Sequence, residues 1–289
     1  MARLWRLNFF GLALFWFVLA GLVLADGAAT EPGADSATIE TTDTWTEPYP
    51  GVRRLERIDP DGPLRVHVVS IDLTAPGLSL VVTRPDDRGI QTSTFAGKYN
   101  AVIAVNAGFF DVSNHDPIGL TMGEGEVWED SRDRESYGYV AMGGDNRVVM
   151  STPSELLDKP EEWMTHIVSG RPVLVDGGEI VVSRNGDDPP PRHPRTALGL
   201  SEDGETLILA VIDGRWPGES HGMTLEETAG LMLELGAHQA LNLDGGGSTT
   251  LYIEAEGGVV NRPSDGEERH VSNHLGVRIE EAGSAADND

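Results

Sequence analysis

Ala240-Leu241-Asn242-Leu243-Asp244-Gly245-Gly246-Gly247-Ser248-Thr249-Thr250 runs an apolar strand into a carboxylate and then into three consecutive glycines. Two other segments share this grammar of strand, polar residue and glycine. They are Val102-Ile103-Ala104-Val105-Asn106-Ala107-Gly108 and Leu209-Ala210-Val211-Ile212-Asp213-Gly214-Arg215. A strand delivers its last side chain to the sheet edge, and glycine lets the backbone turn and lets a ligand approach closely. A single Asp-Gly is usually only a turn, which is the reading for Asp61, Asp176, Asp203 and Asp265. Three glycines in a row lose too much backbone entropy for an ordinary connection. The segment is therefore a candidate anion nest of exposed peptide amides, with Ser248 and Thr249 as hydroxyl donors. It is not a P-loop, because no Gly-Lys-Ser/Thr follows. Nor is it a nucleophile elbow, because Gly-x-Ser-x-Gly is absent.

Around these segments strand signals dominate. Leu64–Asp72, Leu78–Thr83, Ala101–Asn106, Tyr137–Met142, Arg147–Met150, Thr196–Leu200, Thr206–Asp213, Ala240–Asp244, Thr249–Glu254 and Leu275–Ile279 are β-branched and apolar. Pro172–Val175 and Ile180–Ser183 flank Asp176-Gly177-Gly178, a hairpin signal. One helix is clear: Thr224 and Glu227 form a capping box, Leu225, Ala229, Met232 and Leu235 recur at helical spacing, and Gly236 ends the run. Weaker helices are predicted over Gln91–Lys98 and Ser154–Met164. The predicted fold class is α+β, a single domain around a mixed, largely antiparallel β-sheet with a few helices.

The ends read differently. Arg3 and Arg6 precede the apolar run Phe9–Leu24, and Val23-Leu24-Ala25 offers small residues to a signal peptidase. Residues 1–25 are thus read as a secretory signal, ranked above an uncleaved anchor because the run is near the short limit for a span. No Cys follows it, which excludes a lipid-anchored lipoprotein. Asp26–Gly51 holds six acids and no base, and residues 26–59 are read as a disordered acidic linker. Residues 60–279 are the expected folded domain, with a disordered tail over 280–289. The expected location is secreted, periplasmic or cell envelope, without stable membrane insertion after cleavage.

The chain has 289 residues and no Cys, which rules out disulfides, thiol catalysis and thiolate metal sites. Its formal charge is −26. Removing Arg3 and Arg6 with the signal takes this to 19 − 47 = −28, a surface that repels nucleic acid and anionic membranes. Lys98 and Lys159 are the only lysines, so nearly all positive charge is Arg. Against that background, Arg171, Arg192, Arg195, Arg215, Arg262 and Arg269 gather near the motif segments and point to an anionic substrate, a phosphate or carboxylate. Arg192 and Arg262 fit surface ion pairs better. No His/Asp spacing matches a standard zinc site, and no metal or cofactor is expected.

With these residues in view, the chain resembles the phosphodiester glycosidase family. The matching blocks are Val105–Asp111, Ser169–Pro172, Pro194–Gly199, Val211–Arg215, Gly222–Leu225, Ala240–Thr250, Val260–Ser264 and Arg269–Asn273. They span about Ala101 to Val277 in the family's order. The resemblance implies hydrolysis of a sugar-1-phosphodiester, with an N-acetylglucosamine-like sugar, to free sugar and a phosphate monoester. The expected partner is a carbohydrate phosphodiester from a cell-envelope glycan or exopolysaccharide.

Glycoside hydrolysis usually employs two carboxyl groups, and Asp213 and Asp244 are the candidates, with Asp244 as base or nucleophile. A phosphate leaving group needs little protonation, so Arg195, Arg215 and the Gly245, Gly246, Gly247, Ser248, Thr249 nest are expected to stabilise the departing oxygen. Asn106 and Asn273 are expected to hydrogen-bond sugar hydroxyls, and Arg269 to bind substrate. Phe109 and Phe110 are candidates for an apolar face under the sugar, with a core role equally open. Glu227 is explained by its cap alone. Two other readings use the same residues: a hydrolase with Ser248 as nucleophile and His270 as base, and a non-catalytic module that binds anionic glycans.

Overall fold

The computed structural model describes residues 41–152, 156–182 and 190–280. The predicted signal sequence, most of the tail and the first part of the acidic stretch lie outside them. No helix among the described residues is long and apolar enough to cross a membrane.

The molecule is sheet-rich rather than an even α+β mixture. Among the described residues, three sheets account for the strands, every strand pairing is antiparallel, and α-helix is confined to Thr92–Tyr99 and Leu225–Glu234. The mixed sheet expected from sequence is therefore corrected to antiparallel sheets. The largest has eight strands in the order Thr42–Tyr49, Val52–Asp59, Leu64–Asp72, Thr206–Ile212, Arg195–Leu200, Gln239–Asn242, Val173–Asp176, Glu179–Ile180. A five-stranded sheet runs Gly258–Val259, Leu251–Ile253, Ile103–Asn106, His274–Ile279, Leu78–Val82. The other runs Glu126–Val127, Met122–Gly123, Met164–Gly170, Gly138–Gly143, Val148–Met150.

Alternation along the strands builds a core on each face of the large sheet. Val69, Leu209, Val211 and Leu241 pack toward the smaller sheets, against Val105, Val140, Val168 and Leu251. Val68, Ile208, Ala210 and Ala240 pack beneath the second helix, against Ala229 and Met232. That helix starts as predicted: the Thr224 side chain accepts from the Glu227 N–H, and the Glu227 carboxylate accepts from the Thr224 N–H.

Two expectations are corrected. Residues 42–59 are no linker but an edge hairpin of the large sheet, with Trp45 opposite Leu55. Average acidity hid a β pattern of Thr42, Thr44, Trp45, Thr46 and Tyr49 ahead of a Pro50-Gly51 turn. Leu55 is fully buried with Val68 and Ile208, so the hairpin belongs to the core. The helix expected over Ser154–Met164 is not formed where described: 156–163 is turn and loop, and Met164 opens a strand. Pro160 lacks an N–H and disfavours helix at the residue before it.

Candidate active site

The triple-glycine turn is the knot between two sheets. Leu243 N–H donates to Thr196 O at 2.9 Å, and Asp244 N–H to Ala107 O at 2.9 Å. Asn106 ties the knot from below. Its Nδ2 donates to Asp244 O at 2.6 Å, and its Oδ1 accepts from Thr196 Oγ1 at 2.8 Å and Thr250 N at 3.1 Å. Gly246 has φ 64°, a left-handed value that side chains resist. A Cβ on Gly247 would stand 2.0 Å from Arg269 Nη2, so only glycine lets that guanidinium lie against the turn.

Asp244 is half-buried at this turn, and its chemistry is altered. Burial pushes its carboxyl up to about 6, opposed by a hydrogen bond from Ser248, the charge of Arg269 and the Gly245 N–H. Near neutral pH it is mostly ionised yet close to its titration point, which suits a base or nucleophile. Arg269 is held by Asp265 at 2.6 Å and donates to Ser248 Oγ at 3.3 Å. Ser248 thus links the guanidinium to the carboxyl.

The other cations close in from the neighbouring strand. Arg195 lies half-buried beside Gly245, and its Nε donates to Met223 O at 3.0 Å. Burial, then the charge of Arg215, lowers it to about 10, so it remains a cation at neutral pH. Arg215 lies over Gly246, with Nη2 3.1 Å from where a Cβ would be. His193 is shifted down by burial and by both arginines, which keeps it neutral. Arg192 is paired with Glu227, and Arg262 with Glu219 at 2.5 Å, as surface pairs.

Several sequence expectations change here. The amides of the turn are not a bare nest: Gly245 N–H bonds the Asp244 carboxyl, Gly246 N–H donates to Pro194 O, Ser248 N–H to Gly245 O and Thr249 N–H to Gly246 O. Successive glycines turn the chain back on itself, and these four donors close on acceptors within the protein. Asn106, Ser248, Thr249 and Asn273 are buried, not open to sugar hydroxyls. Asn273 Oδ1 accepts from Gly108 N at 2.8 Å, which shapes the neighbouring turn instead.

Asp213 also departs from its expected role. Its strand lies two steps from that of Asp244, a backbone separation of about 10 Å. Alternation, however, places it on the face of Leu209 and Val211, whereas Arg195 shares the face of Ala197. The carboxylate is 2% exposed, and Oδ1 accepts from Asn261 Nδ2 at 3.1 Å and Arg262 N at 2.9 Å. Behind it, Oδ2 lies 3.5 Å from His67 Nε2. His67 Nδ1 is 3.2 Å from Arg54 Nη2, and guanidinium only donates, so Nδ1 accepts and Nε2 carries the proton toward Asp213. Arg54 pairs in turn with Glu256 at 2.8 Å. Asn261 also donates to Thr249 O at 3.1 Å, so this buried chain braces the triple-glycine turn from behind.

The Asp213→Ala variant is expected to lose about 3–5 kcal/mol of stability, because the donors from Asn261, Arg262 and His67 lose their acceptor together, each at about 1–3 kcal/mol. Asp213→Asn keeps an Oδ1 acceptor and is expected to retain activity within about tenfold, whereas a catalytic carboxyl would lose at least ~10³. Urea unfolding and turnover of both variants decide this.

Sequence reasoning missed three contributors. Tyr137 is buried beside Asp244: burial raises its hydroxyl, the charges of Arg171 and Arg134 lower it, and Asp244 raises it. Arg171 stacks over its ring at 5.3 Å, and Phe109 meets it edge-on at 6.2 Å. Asn242 lines the cleft floor, its Nδ2 fixed by Arg171 O at 2.7 Å and Leu243 O at 2.9 Å. The third is the Arg54–His67 pair, whose only signal was a lone histidine in the apolar strand Val66-His67-Val68-Val69. A cleft of about 730 Å³ is lined by Phe109, Arg171, Arg195 and Asn242, and also by Ser136, Thr152 and Asp176. Among the described residues, no group of His, Asp or Glu is arranged to hold a metal.

The fold is shared with solved structures. The catalytic domain of the zebrafish N-acetylglucosamine-1-phosphodiester alpha-N-acetylglucosaminidase superposes with a TM-score of 0.61 at 21% identity, covering 86% of this chain and 85% of that one. A hypothetical protein from Synechocystis gives 0.58 at 20% identity, covering 83% and 64%. The likeness defines a sheet-rich, antiparallel domain. The chain belongs to the phosphodiester glycosidase family, whose model matches residues 99–278. It is 28% identical over 179 residues to the mouse N-acetylglucosamine-1-phosphodiester alpha-N-acetylglucosaminidase, and 41% identical over 86 residues to the SPbeta prophage-derived uncharacterized protein YomE of Bacillus subtilis. Those matches cover 56% and 30% of this chain, but only 33% and 13% of the curated relatives' own lengths.

Proposed function

We propose that this protein hydrolyses the glycosidic bond of a sugar-1-phosphodiester, with an N-acetylglucosamine-like sugar, to free sugar and a phosphate monoester. The observation that carries the reading is the Asp244 carboxyl, shifted to about 6 and facing the charge of Arg269, on a glycine turn that Arg195 and Arg215 also adjoin. The bond from the anomeric carbon to the phosphate oxygen breaks, and its electron pair leaves with the phosphate. Water supplies hydroxide to the carbon, and its proton is released. A phosphate monoester has a second pKa of about 6, so it departs without a strong acid behind it. One carboxylate then suffices, and the guanidinium groups stabilise the charge that develops on the leaving oxygen. This accounts for Asp213 serving as a brace rather than as the second member of a pair.

Ionised Asp244 acts on the sugar carbon either directly or through water. Retention of the anomer marks it as nucleophile, inversion as base. The apolar run and cleavage signal before Asp26 support export, and a cell-envelope or exopolysaccharide phosphodiester fits an exported enzyme.

The Ser248 nucleophile reading is not favoured. Ser248 is fully buried, its hydroxyl is engaged by Arg269 and Asp244, and no histidine is among its described contacts. Mere anion binding is disfavoured too, because the Asp244 carboxylate beside Arg269 would weaken it. The test is incubation with a panel of sugar-1-phosphodiesters and identification of both products. Release of free sugar with a phosphate monoester is expected; release of a sugar-1-phosphate instead would overturn the reading.

A further inference from the structure

Three polar side chains cross an apolar sheet face in one diagonal row. Val52, Val69, Leu209 and Val211 belong to that face, which packs toward the smaller sheets. Alternation puts Arg54 beside Val52, His67 beside Val69 and Asp213 beyond Val211 on the same side. The register then sets them on successive strands. Arg54 stands opposite Val69 and His67 opposite Val211, so each polar residue is the diagonal neighbour of the next. Arg54 Nη2 donates to His67 Nδ1 at 3.2 Å, and His67 Nε2 lies 3.5 Å from Asp213 Oδ2. Beyond Asp213 the row enters the triple-glycine turn through Asn261. The Asn261 amide donates to Asp213 Oδ1 and Thr249 O, and its Oδ1 accepts from Leu251 N–H at 2.8 Å. The hairpin over 42–59 also grips the chain that leaves the turn. Tyr49 Oη accepts from Ala255 N–H at 2.9 Å, and Arg54 Nε lies 2.8 Å from Glu256 Oε1. Both partners follow directly on the strand Leu251–Ile253.

We infer that Arg54 and His67 are positioning residues for the turn that carries Asp244, so that the edge hairpin sets the working geometry of a site four strands away in the sheet. The inference rests on the glycosidase reading for the role of Asp244, while the mechanical link stands without it. The family model matches residues 99–278, so neither Arg54 nor His67 falls within it. Stability does not account for the row. Arg54 is 6% exposed and His67 fully buried, and a buried ion pair is often no better than apolar side chains of the same volume. Aliphatic residues at 54 and 67 would simply extend the face of Val52 and Val69. What the polar row adds is direction, because a hydrogen bond fixes an angle as well as a distance and apolar contact does not. Arg54 makes His67 Nδ1 an acceptor, which leaves the Nε2 proton facing Asp213. The oriented carboxylate holds Asn261, and Asn261 holds the exit of the turn at Thr249 and Leu251. Three glycines give that turn little stiffness of its own, so outside contacts must supply it.

Hydrogen exchange and turnover separate the link from the chemistry. His67→Leu removes both ring nitrogens, whereas His67→Gln keeps an acceptor for Arg54 and an N–H for Asp213. Amide exchange is followed by mass spectrometry in peptides covering residues 243–251. The strands Gly138–Gly143 and Val148–Met150, which belong to the third sheet, serve as the control. His67→Leu is expected to speed exchange across 243–251 at least ~10-fold and to leave the control within about twofold. Its kcat on a sugar-1-phosphodiester is expected to fall about tenfold, and His67→Gln to restore both readouts to within about threefold of wild type. Should His67→Leu fail to fold, the double variant Tyr49→Phe with Glu256→Ala releases the second grip at part-exposed positions. Exchange across 243–251 is then expected to quicken at least ~3-fold, and an unchanged rate overturns the inference. Unchanged exchange or unchanged kcat in His67→Leu overturns it as well. So does equal acceleration in the control, which marks a general loss of stability, and so does failure of His67→Gln to restore either readout. Faster exchange confined to the turn, in a protein whose wild type releases no sugar, leaves the link standing and removes the glycosidase reading.

Discussion

Asp244→Asn is expected to abolish release of sugar from a sugar-1-phosphodiester, with kcat falling by at least ~10³-fold, while the protein stays folded. The amide is nearly the same shape and keeps an oxygen for the Ser248 hydroxyl and the Gly245 N–H. What it loses is the negative charge needed to attack the sugar carbon or to take a proton from water. The same charge is costly to hold. The carboxyl sits at about 6 in the folded chain against 3.8 in the unfolded one, because burial outweighs Ser248, Arg269 and the Gly245 N–H. A raised folded value means that Asp244 favours folding at low pH and loses that contribution as pH rises through about 6. The variant should therefore match wild type in stability below pH ~4 and exceed it by about 1–3 kcal/mol above pH ~7. Thermal unfolding at pH 4 and pH 8 reads this directly. Turnover by wild type should rise with pH through about 6, since the ionised form is the working one. A falling profile through that value would assign Asp244 as an acid instead, and full activity in the variant would remove it from the mechanism.

Arg195→Ala should lower kcat/KM on the diester by about 10²–10³-fold, the usual consequence of losing one preorganised donor to a developing anion. On a neutral aryl glycoside of the same sugar the loss should stay below about tenfold, because no phosphate charge develops there. The contrast is the useful readout. Arg195 also donates to Met223 O, so a general distortion of the site would harm both substrates alike. Arg195→Lys separates charge from shape: it restores the cation without the planar fork, and partial recovery on the diester alone is expected. Arg195 is singled out over Arg215 because it lines the cleft and stands at the meeting point of the two strands that hold the turn. Equal losses on both substrates would show that it holds the site's shape rather than the phosphate.

Much of this was legible in the chain itself. Strong β alternation announced most of the strands. The Thr224–Glu227 box marked the helix start, and the sequence from Ala240 to Thr250 marked the turn that carries Asp244. These signals are local: a period, a cap and a run of glycines each depend on neighbours in sequence. The hairpin over 42–59 escaped because its acidity outweighed its pattern, and its partner strand, Leu64–Asp72, supplies the apolar face that makes it fold.

What the sequence alone determined was which residues stand at strand ends beside glycine, and that arginine is the dominant cation near them. Which of those ends is sealed inside the fold and which keeps a partly exposed carboxyl was decided only by the tertiary structure. Asn106, Asp213 and Asp244 obey one local rule, yet the fold buries the first two against partners from segments up to 144 residues away and leaves the third half-buried at the glycine turn. The reason is physical: a carboxyl group acquires its reactivity from burial and nearby charge, and both arise from strands that meet only after the chain has folded.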